Sequence, residues 1–313
     1  DWGIPLPVDD LGPGKSIYVW WEAVMGYYSA PQEWAQLQGD PDAWRAWWQD
    51  PEAEAYYFVG KDNIPFHAVY WPALLMGHGD LNLPTDVPAN QYVTFGGSKA
   101  SKSRGVGRSL QWYIDHFEPD ALRYAIAASF PETNDTDLSD DEMVRRVNDE
   151  LVSTWGNLVN RVVSMTHRYF EGVVPEAVDL TSADTALLDG IDATLAEVGE
   201  QIAAVKLRAG LSTAMAAASG VNVYLSEQEP WKSAKTDLAR TGTTLAVALN
   251  AISGLAVALA PYLPFTSRTV LETLQFEVPQ AGPRWVRESV PAGTVLGPAV
   301  PLFRKAELPN DED

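Results

Sequence analysis

Residues 91–105, QYVTFGGSKASKSRG, join a short run of β-forming residues to a basic loop flanked by glycines. Four basic residues and no acidic one occur between positions 96 and 108: Lys99, Lys102, Arg104 and Arg108. The stretch stands out in a chain with 22 basic and 42 acidic residues and a net charge of −20. Two lysines three positions apart can converge on one polyphosphate as point charges. The pattern favours a phosphate-binding loop after a buried strand; by composition alone, a solvated Lys/Ser loop fits equally well.

The residues before this loop predict a parallel α/β sheet. Apolar, β-branched and aromatic runs between Pro and Gly residues indicate three strands, at residues 16–21, 56–59 and 91–95. A helical insert is expected over 31–50, and residues 64–76 carry apolar side chains at helical spacing. This alternation of strand and helix indicates a parallel α/β sheet over residues 1–95, with a loop and connecting helices over 96–138.

The rest of the chain predicts an all-α bundle over residues 139–275. Ser139, with Glu142 three positions later, is typical of a helix start. One helical face then carries a run of apolar residues: Met143, Val147, Leu151, Trp155, Leu158, Val162 and Met165. Further helices are predicted over 183–205, 211–226, 238–259 and 265–274. The acidic, Pro/Gly-rich tail, 276–313, is expected to be loosely ordered.

Composition excludes several classes of protein. An apolar fraction of 46% with 12 Trp excludes a disordered or coiled-coil chain. No apolar run reaches the roughly 20 residues of a membrane span, so no membrane partner is expected. With no Cys and four scattered His, no zinc or other metal site is predicted. The acidic charge argues against wrapping nucleic acid in bulk but leaves room for a local basic site. We expect a cytoplasmic protein.

Four motifs resemble one enzyme family. Residues 99–103, KASKS, resemble the Lys-Met-Ser-Lys-Ser loop of class I aminoacyl-tRNA synthetases, with Ala in place of Met. Three further segments resemble the methionyl-tRNA synthetases of that class: residues 1–5, DWGIP; residues 18–27, YVWWEAVMGY; and residues 58–67, FVGKDNIPFH, running on to Trp71. The resemblance covers roughly residues 1–275 and keeps the motifs in the family's order. It implies the second half of a Rossmann-like catalytic domain followed by an anticodon-binding helical bundle.

The resemblance implies a methionine pocket. On the family pattern its lining consists of Trp20, Ala23, Val24, Tyr27, His67 and Trp71. An unbranched, polarizable thioether suits aromatic walls with a few polar groups. His67 and Trp71, four positions apart, share one helical face. Taken singly, each aromatic residue is more simply ordinary core, and His67 could equally be a buried histidine with its hydrogen bonds satisfied.

The resemblance also implies an ATP site. ATP, brought with Mg²⁺ as a substrate, would contact Asp62, Lys99, Ser101, Lys102 and Ser103. Lys102, assisted by Lys99, would be catalytic because it neutralises charge that develops on the leaving pyrophosphate. Asp62 follows a strand-ending glycine, where open α/β sheets bind ligands. A helix N-cap is the alternative role for Asp62.

In the helical half the resemblance implies contacts with the anticodon of tRNA(Met). Asn157 and Arg161 lie four apart on one helical face, and Trp231 follows a helix-breaking proline. Trp offers a stacking surface to an unpaired base, while Asn and Arg can read base edges or hold phosphate. Without the resemblance, Trp231 would be a helix-end anchor, and the other two a surface pair.

One expected part of the family pattern is missing. No His-x-x-His occurs in the chain, so the segment that meets ATP from the first half of the catalytic sheet is absent. We therefore expect the carboxyl-terminal portion of such an enzyme, with its own amino-terminal half as a partner. An exposed apolar patch is then expected near Trp20, Trp21 and Trp71.

Three functions are consistent with the sequence. The first is a methionine–tRNA ligase that activates methionine with ATP and transfers it to tRNA. The second is a non-catalytic or split tRNA-binding module that needs a separate amino-terminal chain. The third is a class I synthetase for another apolar amino acid, such as leucine, isoleucine or valine.

Overall fold

The structure, a computed structural model, describes residues 3–8, 10, 14–95, 98–99 and 108–308, with the backbone alone for Phe95, Ser98 and Lys99. The chain forms two compact units. The first consists of Asp1–Tyr92 with Glu132–Asn134, and the second of Val93–Pro131 with Asp135–Asp313.

The first unit combines helices with a two-stranded parallel sheet. In chain order its elements are α1 (Val19–Leu37), α2 (Arg45–Trp48), β1 (Val59–Gly60), a 3-10 turn (Lys61–Asn63), π turns (Phe66–Tyr70), α3 (Trp71–His78) and β2 (Ala89–Asn90). The helix predicted over 64–76 is therefore present, with wider turns in its first half. The helices bury a small core of six side chains: Val24, Ala35, Trp44, Trp48, Trp71 and Leu75.

The strand predicted over residues 16–21 is wrong. A single antiparallel bridge joins Ser16 to Pro5, and α1 begins at Val19. Trp20, Val24 and Tyr28 repeat every four residues and pack on the same core, so helical burial outweighs the β propensity of the run. α1 continues through Pro31, where the insert was expected to start.

A parallel ladder does form in the first unit, but its partner strand differs from the prediction. Tyr56 pairs with Asp86, and Val59 and Gly60 of β1 pair with Ala89 and Asn90 of β2. The partner therefore spans 86–90, before the predicted 91–95. Pro88 lies within it, and its carbonyl accepts the Val59 N–H at 3.0 Å. Asp and Pro argue against a strand in sequence, and proline is tolerated only where its missing N–H is not needed.

The second unit opens with a three-stranded sheet and two helices. β3 (Val93–Phe95) pairs antiparallel with β4 (Ser98–Lys99) and parallel with β5 (Thr136–Asp137). Between β4 and β5 lie α4 (Leu110–His116) and α5 (Pro119–Ala128).

A long helical run follows, made of α6 (Asp140–Arg145), π turns (Arg146–Gly156) and α7 (Asn157–Phe170). Six of the seven side chains on the predicted apolar face are fully buried, and Met165 is half-buried. Ser139 Oγ accepts the Glu142 N–H at 3.2 Å, as a capping serine should. The Glu142 carboxylate instead pairs with Arg145 and Arg146, so the reciprocal half of the predicted capping box is absent from this described helix end.

The bundle is completed by α8 (Ser182–Ala203), α9 (Leu207–Gln228), α10 (Pro230–Ser233), α11 (Leu238–Leu259) and α12 (Pro264–Thr273). The four predicted helices are confirmed, with ends shifted by at most a few residues. α11 is long and apolar enough to cross a membrane, but nearly all of its apolar stretch is buried inside the bundle. It is the central helix of the core, packed between α8 and α9.

The tail is not loosely ordered over its described part, 276–308. Val290, Leu296 and Phe303 are each at most 5% exposed and belong to the bundle core. Asn148 exchanges two hydrogen bonds with the backbone of Ala306, at 2.9 and 2.8 Å. The Pro/Gly composition suggested disorder, but scattered apolar side chains outweigh it by filling grooves between helices. A Cβ at Gly156 would lie 3.1 Å from the Phe303 ring, so glycine makes room for it.

An ion pair between a buried carboxylate and a half-buried arginine holds α8, α9 and α11 together. Asp184, 0% exposed, accepts two hydrogen bonds from the Arg240 guanidinium at 2.6 Å each, and others from Tyr224 and Thr181. Burial alone would raise the pKa of the Asp184 carboxyl. The hydrogen bonds from Arg240, Tyr224 and Thr181 outweigh burial, so the pKa lies well below its usual range.

We expect Asp184→Asn to lower the free energy of unfolding by about 3 kcal/mol, because it leaves the half-buried Arg240 without its counter-charge. In the unchanged chain, a carboxyl pKa lowered by folding stabilises above its unfolded value of about 3.9, and that stabilisation is lost as the pH falls below it. Denaturant titrations at pH 7 and pH 3 measure both effects. Asp189→Asn, an exposed change on the same helix, should cost less than about 0.5 kcal/mol. Equal losses for the two variants would contradict the assignment.

Candidate functional site

An aromatic cluster in the first unit unites several predicted methionine-pocket residues. Trp20 of α1 stacks on Phe66 with ring centroids 4.5 Å apart. Tyr27 lies about two helical turns after Trp20 on α1. Its ring centroid is 5.6 Å from that of His67 and 6.1 Å from that of Trp71. Side chains from α1 and from the helix after β1 therefore converge, although about 40 residues separate them in sequence.

His67 is held from both sides of its ring. The side chain is 2% exposed; its Nδ1 lies 2.9 Å from the Asn63 carbonyl oxygen and its Nε2 lies 2.9 Å from the Tyr27 hydroxyl. A carbonyl oxygen only accepts, so Nδ1 carries the proton. In the neutral ring Nε2 then accepts from Tyr27. These two hydrogen bonds fix the orientation of the imidazole ring.

Trp71 closes the back of the cluster. Its indole N–H donates to the Tyr57 hydroxyl at 3.0 Å, and its ring meets Trp48 edge to face at 5.9 Å. Burial raises the pKa of the Tyr57 hydroxyl, and the hydrogen bond from Trp71 lowers it by less. Tyr57 therefore stays protonated at neutral pH, and its ring lies 5.1 Å from Tyr27.

The structure places the six predicted pocket residues unequally. Trp20, Tyr27, His67 and Trp71 lie in one cluster; Val24 is 1% exposed in the core beneath them, and Ala23 is exposed on α1. Tyr57 and Phe66 belong to the cluster and were missed by sequence reasoning. Phe66 directly precedes His67, and Tyr57 lies in the predicted strand 56–59. Adjacency to a predicted site residue could have indicated Phe66, and membership of a predicted strand beside the site could have indicated Tyr57.

The expected exposed apolar patch is partly present. Trp21 is 52% exposed and Met25 is 47% exposed. Both line an open groove of about 1000 Å³. Trp20 is half-buried, and the expectation is wrong for Trp71, which is 2% exposed because Tyr57 and Trp48 cover it.

Asp62 lies directly after β1, in the 3-10 turn. Its side chain is exposed, and its carboxylate accepts a hydrogen bond from the Tyr92 hydroxyl. The adjacent Lys61 ammonium lies 4.1 Å from the Tyr92 ring centroid and donates to Gln91 at 2.9 Å. Gly60 occupies the N-cap position of this turn, so the alternative capping role for Asp62 is not observed.

The predicted ATP loop is described only at its edges. The backbone of Lys99 pairs with Thr94 across the β3–β4 hairpin. The Lys99 side chain and the whole of Ser101, Lys102 and Ser103 lie outside the described residues. Their roles stay predictions.

The predicted anticodon residues come together in the second unit. The Arg161 guanidinium lies 5.6 Å from the Trp231 ring centroid, although 70 residues separate the two in sequence. Trp231 is half-buried in α10, directly after the buried Pro230. Asn157 is exposed one helical turn before Arg161. The three side chains therefore offer a ring, a cation and an amide on neighbouring surfaces.

The comparisons with known proteins first define the class. Residues 1–163 match the family model described as "tRNA synthetases class I (M)", so the chain is a class I tRNA synthetase by family. Residues 174–313 match the "Anticodon binding domain of methionyl tRNA ligase". The chain belongs to the methionyl-tRNA synthetases, and the leucine, isoleucine and valine alternatives are set aside. The predicted fold class, a catalytic α/β portion followed by an anticodon-binding helical domain, is confirmed.

Individual relatives support the same family assignment. The methionine–tRNA ligase of Roseiflexus castenholzii is 44% identical over 98% of this chain and 57% of its own length, and that of Thermobifida fusca is 42% identical over 98% and 58%. The solved structure of Mycobacterium tuberculosis methionyl-tRNA synthetase bound by methionyl-adenylate is similar with a TM-score of 0.82 at 27% identity, covering 97% of this chain and 58% of that one. The chain thus spans somewhat more than half the length of these relatives.

Proposed function

We propose that this chain carries the methionine pocket, the ATP loop and the anticodon-binding surface of a methionine–tRNA ligase. The observation that carries the proposal is the convergence of the exposed Tyr27 with the buried His67 and Trp71 in one aromatic cluster. Membership of the methionyl-tRNA synthetases makes methionine the proposed ligand of that cluster. The structural relative binds methionyl-adenylate, so we extend ATP and methionine to this chain as substrates.

The proposed reaction has two steps. The methionine carboxylate attacks the α-phosphorus of ATP, a P–O bond to the bridging oxygen breaks, and pyrophosphate leaves. A terminal ribose hydroxyl of tRNA(Met) then attacks the methionyl carbonyl, loses its proton, and AMP leaves. Neither step requires a covalent link to the protein, so the residues act by positioning and by stabilising charge.

In the first step the lysine loop, defined as residues 96–107, faces the phosphates. Lys102 neutralises the charge on the leaving pyrophosphate and Lys99 assists it, while Ser101 and Ser103 supply hydroxyl donors. Asp62 contacts the nucleotide from the end of β1. Mg²⁺ would arrive with ATP as part of the substrate and would neutralise phosphate charge there, since this metal favours phosphate oxygens over dedicated protein sites.

The aromatic cluster would select methionine. Trp20, Tyr27 and Trp71 provide polarizable walls for a thioether, and the fixed His67 ring provides a polar wall. On the same helix, Val24 would support these walls from the core beneath them, and Ala23 would add to the lining from the exposed side. Because the chain spans about half of its relatives, we propose that an amino-terminal catalytic portion completes the ATP site. Cytoplasmic localisation is part of the same proposal.

The alternative of a non-catalytic or split tRNA-binding module is not favoured, since the curated relatives described above are named as ligases. Methionine-dependent exchange between pyrophosphate and ATP by the full reading frame tests the choice. A ligase catalyses this exchange between pyrophosphate and ATP, and a binding module does not.

We expect Trp231→Ala to weaken binding of tRNA(Met) about tenfold, because stacking of one base on an aromatic ring contributes roughly 1–3 kcal/mol. Gel-shift titrations at two salt concentrations measure it, and binding of the unchanged protein should weaken with salt. Trp47→Ala, an exposed tryptophan of the first unit, is the control and should leave affinity unchanged. Equal affinity of the unchanged protein for tRNAs with unrelated anticodons would contradict base recognition by this surface.

A further inference from the structure

Residues on either side of the lysine loop, Thr94 before it and Arg108 after it, contact one short segment, residues 136–140, here called the anchor segment. At the entry to the loop, the Thr94 hydroxyl donates to the Asp137 carboxylate at 2.6 Å, and the Leu138 N–H donates to the Thr94 carbonyl at 2.9 Å. β3 and β5 pair in parallel across the same contact. The entry strand is therefore registered against the anchor segment.

After the loop, the Asp140 carboxylate makes the connection. Arg108, the first described residue after the loop, donates from Nε to Asp140 Oδ2 at 2.9 Å. The Tyr113 hydroxyl donates to Asp140 Oδ1 at 2.8 Å. The Arg108 guanidinium also lies 4.1 Å from the ring centroid of Trp112. Asp140 thus holds the side chains of two residues that follow the loop, one through each carboxylate oxygen.

Asp140 is itself well anchored. It occupies the first position of α6, directly after the capping Ser139, where a negative charge is favoured by the helix dipole. Tyr113 is 6% exposed, and burial together with the bond to Asp140 raises its pKa, so the donor stays protonated. The helical run that starts at Asp140 continues through π turns to Asn157 and Arg161, so the contact is built on a regular element and not on a loop.

We propose that Asp140 is a positioning residue for methionine activation, acting through Arg108 and Tyr113 to set where the lysine loop ends. The inference rests on the proposed function, because only under that function does the lysine loop bind the phosphates of ATP. An error of about 1 Å in the position of a charge-stabilising group can cost on the order of 100-fold in rate, so the exit of such a loop needs a fixed partner. A charge-assisted pair meets that need better than backbone pairing alone.

The test compares Asp140→Asn with Asp141→Asn in the full reading frame. Both variants remove one charge from the same helical turn, but Asp141 is exposed to solvent. For Asp140→Asn we expect kcat/KM for ATP in pyrophosphate exchange to fall about 10- to 100-fold, with KM for methionine unchanged. Asp140→Glu, which keeps the carboxylate, should recover part of the loss. Tyr113→Phe, which removes one hydroxyl, should show a smaller loss of the same kind.

A second readout is independent of activity. Loss of the Asp140 contact should speed tryptic cleavage after Arg108 in Asp140→Asn and leave it unchanged in Asp141→Asn. Equal kinetics for the two Asn variants, or a parallel rise in KM for methionine, would overturn the proposal. If Asp140→Asn does not fold, unchanged exchange in Tyr113→Phe overturns it. If the unchanged protein does not exchange at all, the proposed function fails, and the cleavage rates alone decide the role of Asp140.

Discussion

Lys102→Ala in the full reading frame should lower methionine-dependent pyrophosphate exchange by at least ~100-fold, the scale of losing one preorganised charge-stabilising group. The charge on the pyrophosphate rises as its bond to the α-phosphorus breaks, so Lys102 acts more strongly in the transition state than on bound ATP. The loss should therefore appear in kcat, with a small change in KM for ATP.

Lys305→Ala is the matched control, since it removes an exposed lysine from the tail and should leave exchange unchanged. Lys102→Arg, which keeps the charge but changes its geometry, should recover only part of the rate. Near-normal exchange by Lys102→Ala would remove Lys102 from the mechanism without touching the assignment of the family.

His67→Ala should lower kcat/KM for methionine about 30-fold, the effect of truncating one well-packed binding residue that contributes about 2 kcal/mol. The substitution removes the ring that Tyr27 and the Asn63 carbonyl hold in place, and leaves the Tyr27 hydroxyl without that partner. KM for ATP should stay unchanged, because the phosphates are proposed to lie against other segments. Initial rates of exchange at varied methionine and ATP measure the two constants separately.

His78→Ala provides the comparison, because His78 is an exposed histidine at the end of α3. Its removal should leave both constants unchanged. Equal effects of the two substitutions, or an effect of His67→Ala on ATP and methionine alike, would mean that His67 supports the fold and does not line the pocket.

Long helices were predictable where several signals agreed. The range predicted for α11, 238–259, matches the structure, because an uninterrupted apolar pattern begins after Asp237, whose side chain caps the helix by accepting the Arg240 N–H. Strands were harder. Residues 16–21 have high β propensity, but burial of Trp20 and Val24 on a helical face outweighs it. The partner strand 86–90 was invisible in sequence because Asp86 and Pro88 are poor strand residues.

The site was predictable only in part, for a different reason. Spacing alone could place His67 and Trp71 on one helical face, but long-range contacts leave no spacing signal. The approach of Arg161 to Trp231 depends on how α7 and α10 pack, and only the family resemblance suggested it. Tyr57 was missed because its role comes from burial against Trp71, a tertiary contact. The prediction of a loosely ordered tail was wrong for the same reason, because Phe303 is buried by helices far away in sequence.

Exchange of labelled pyrophosphate into ATP by the full reading frame, with methionine, leucine, isoleucine or valine supplied one at a time, tests the central claim most directly. The aromatic cluster around His67 predicts exchange with methionine at least ~100-fold faster than with any of the branched amino acids, the scale expected when a pocket discriminates by shape and polar contacts together. No exchange with methionine, or faster exchange with leucine, isoleucine or valine, would contradict it.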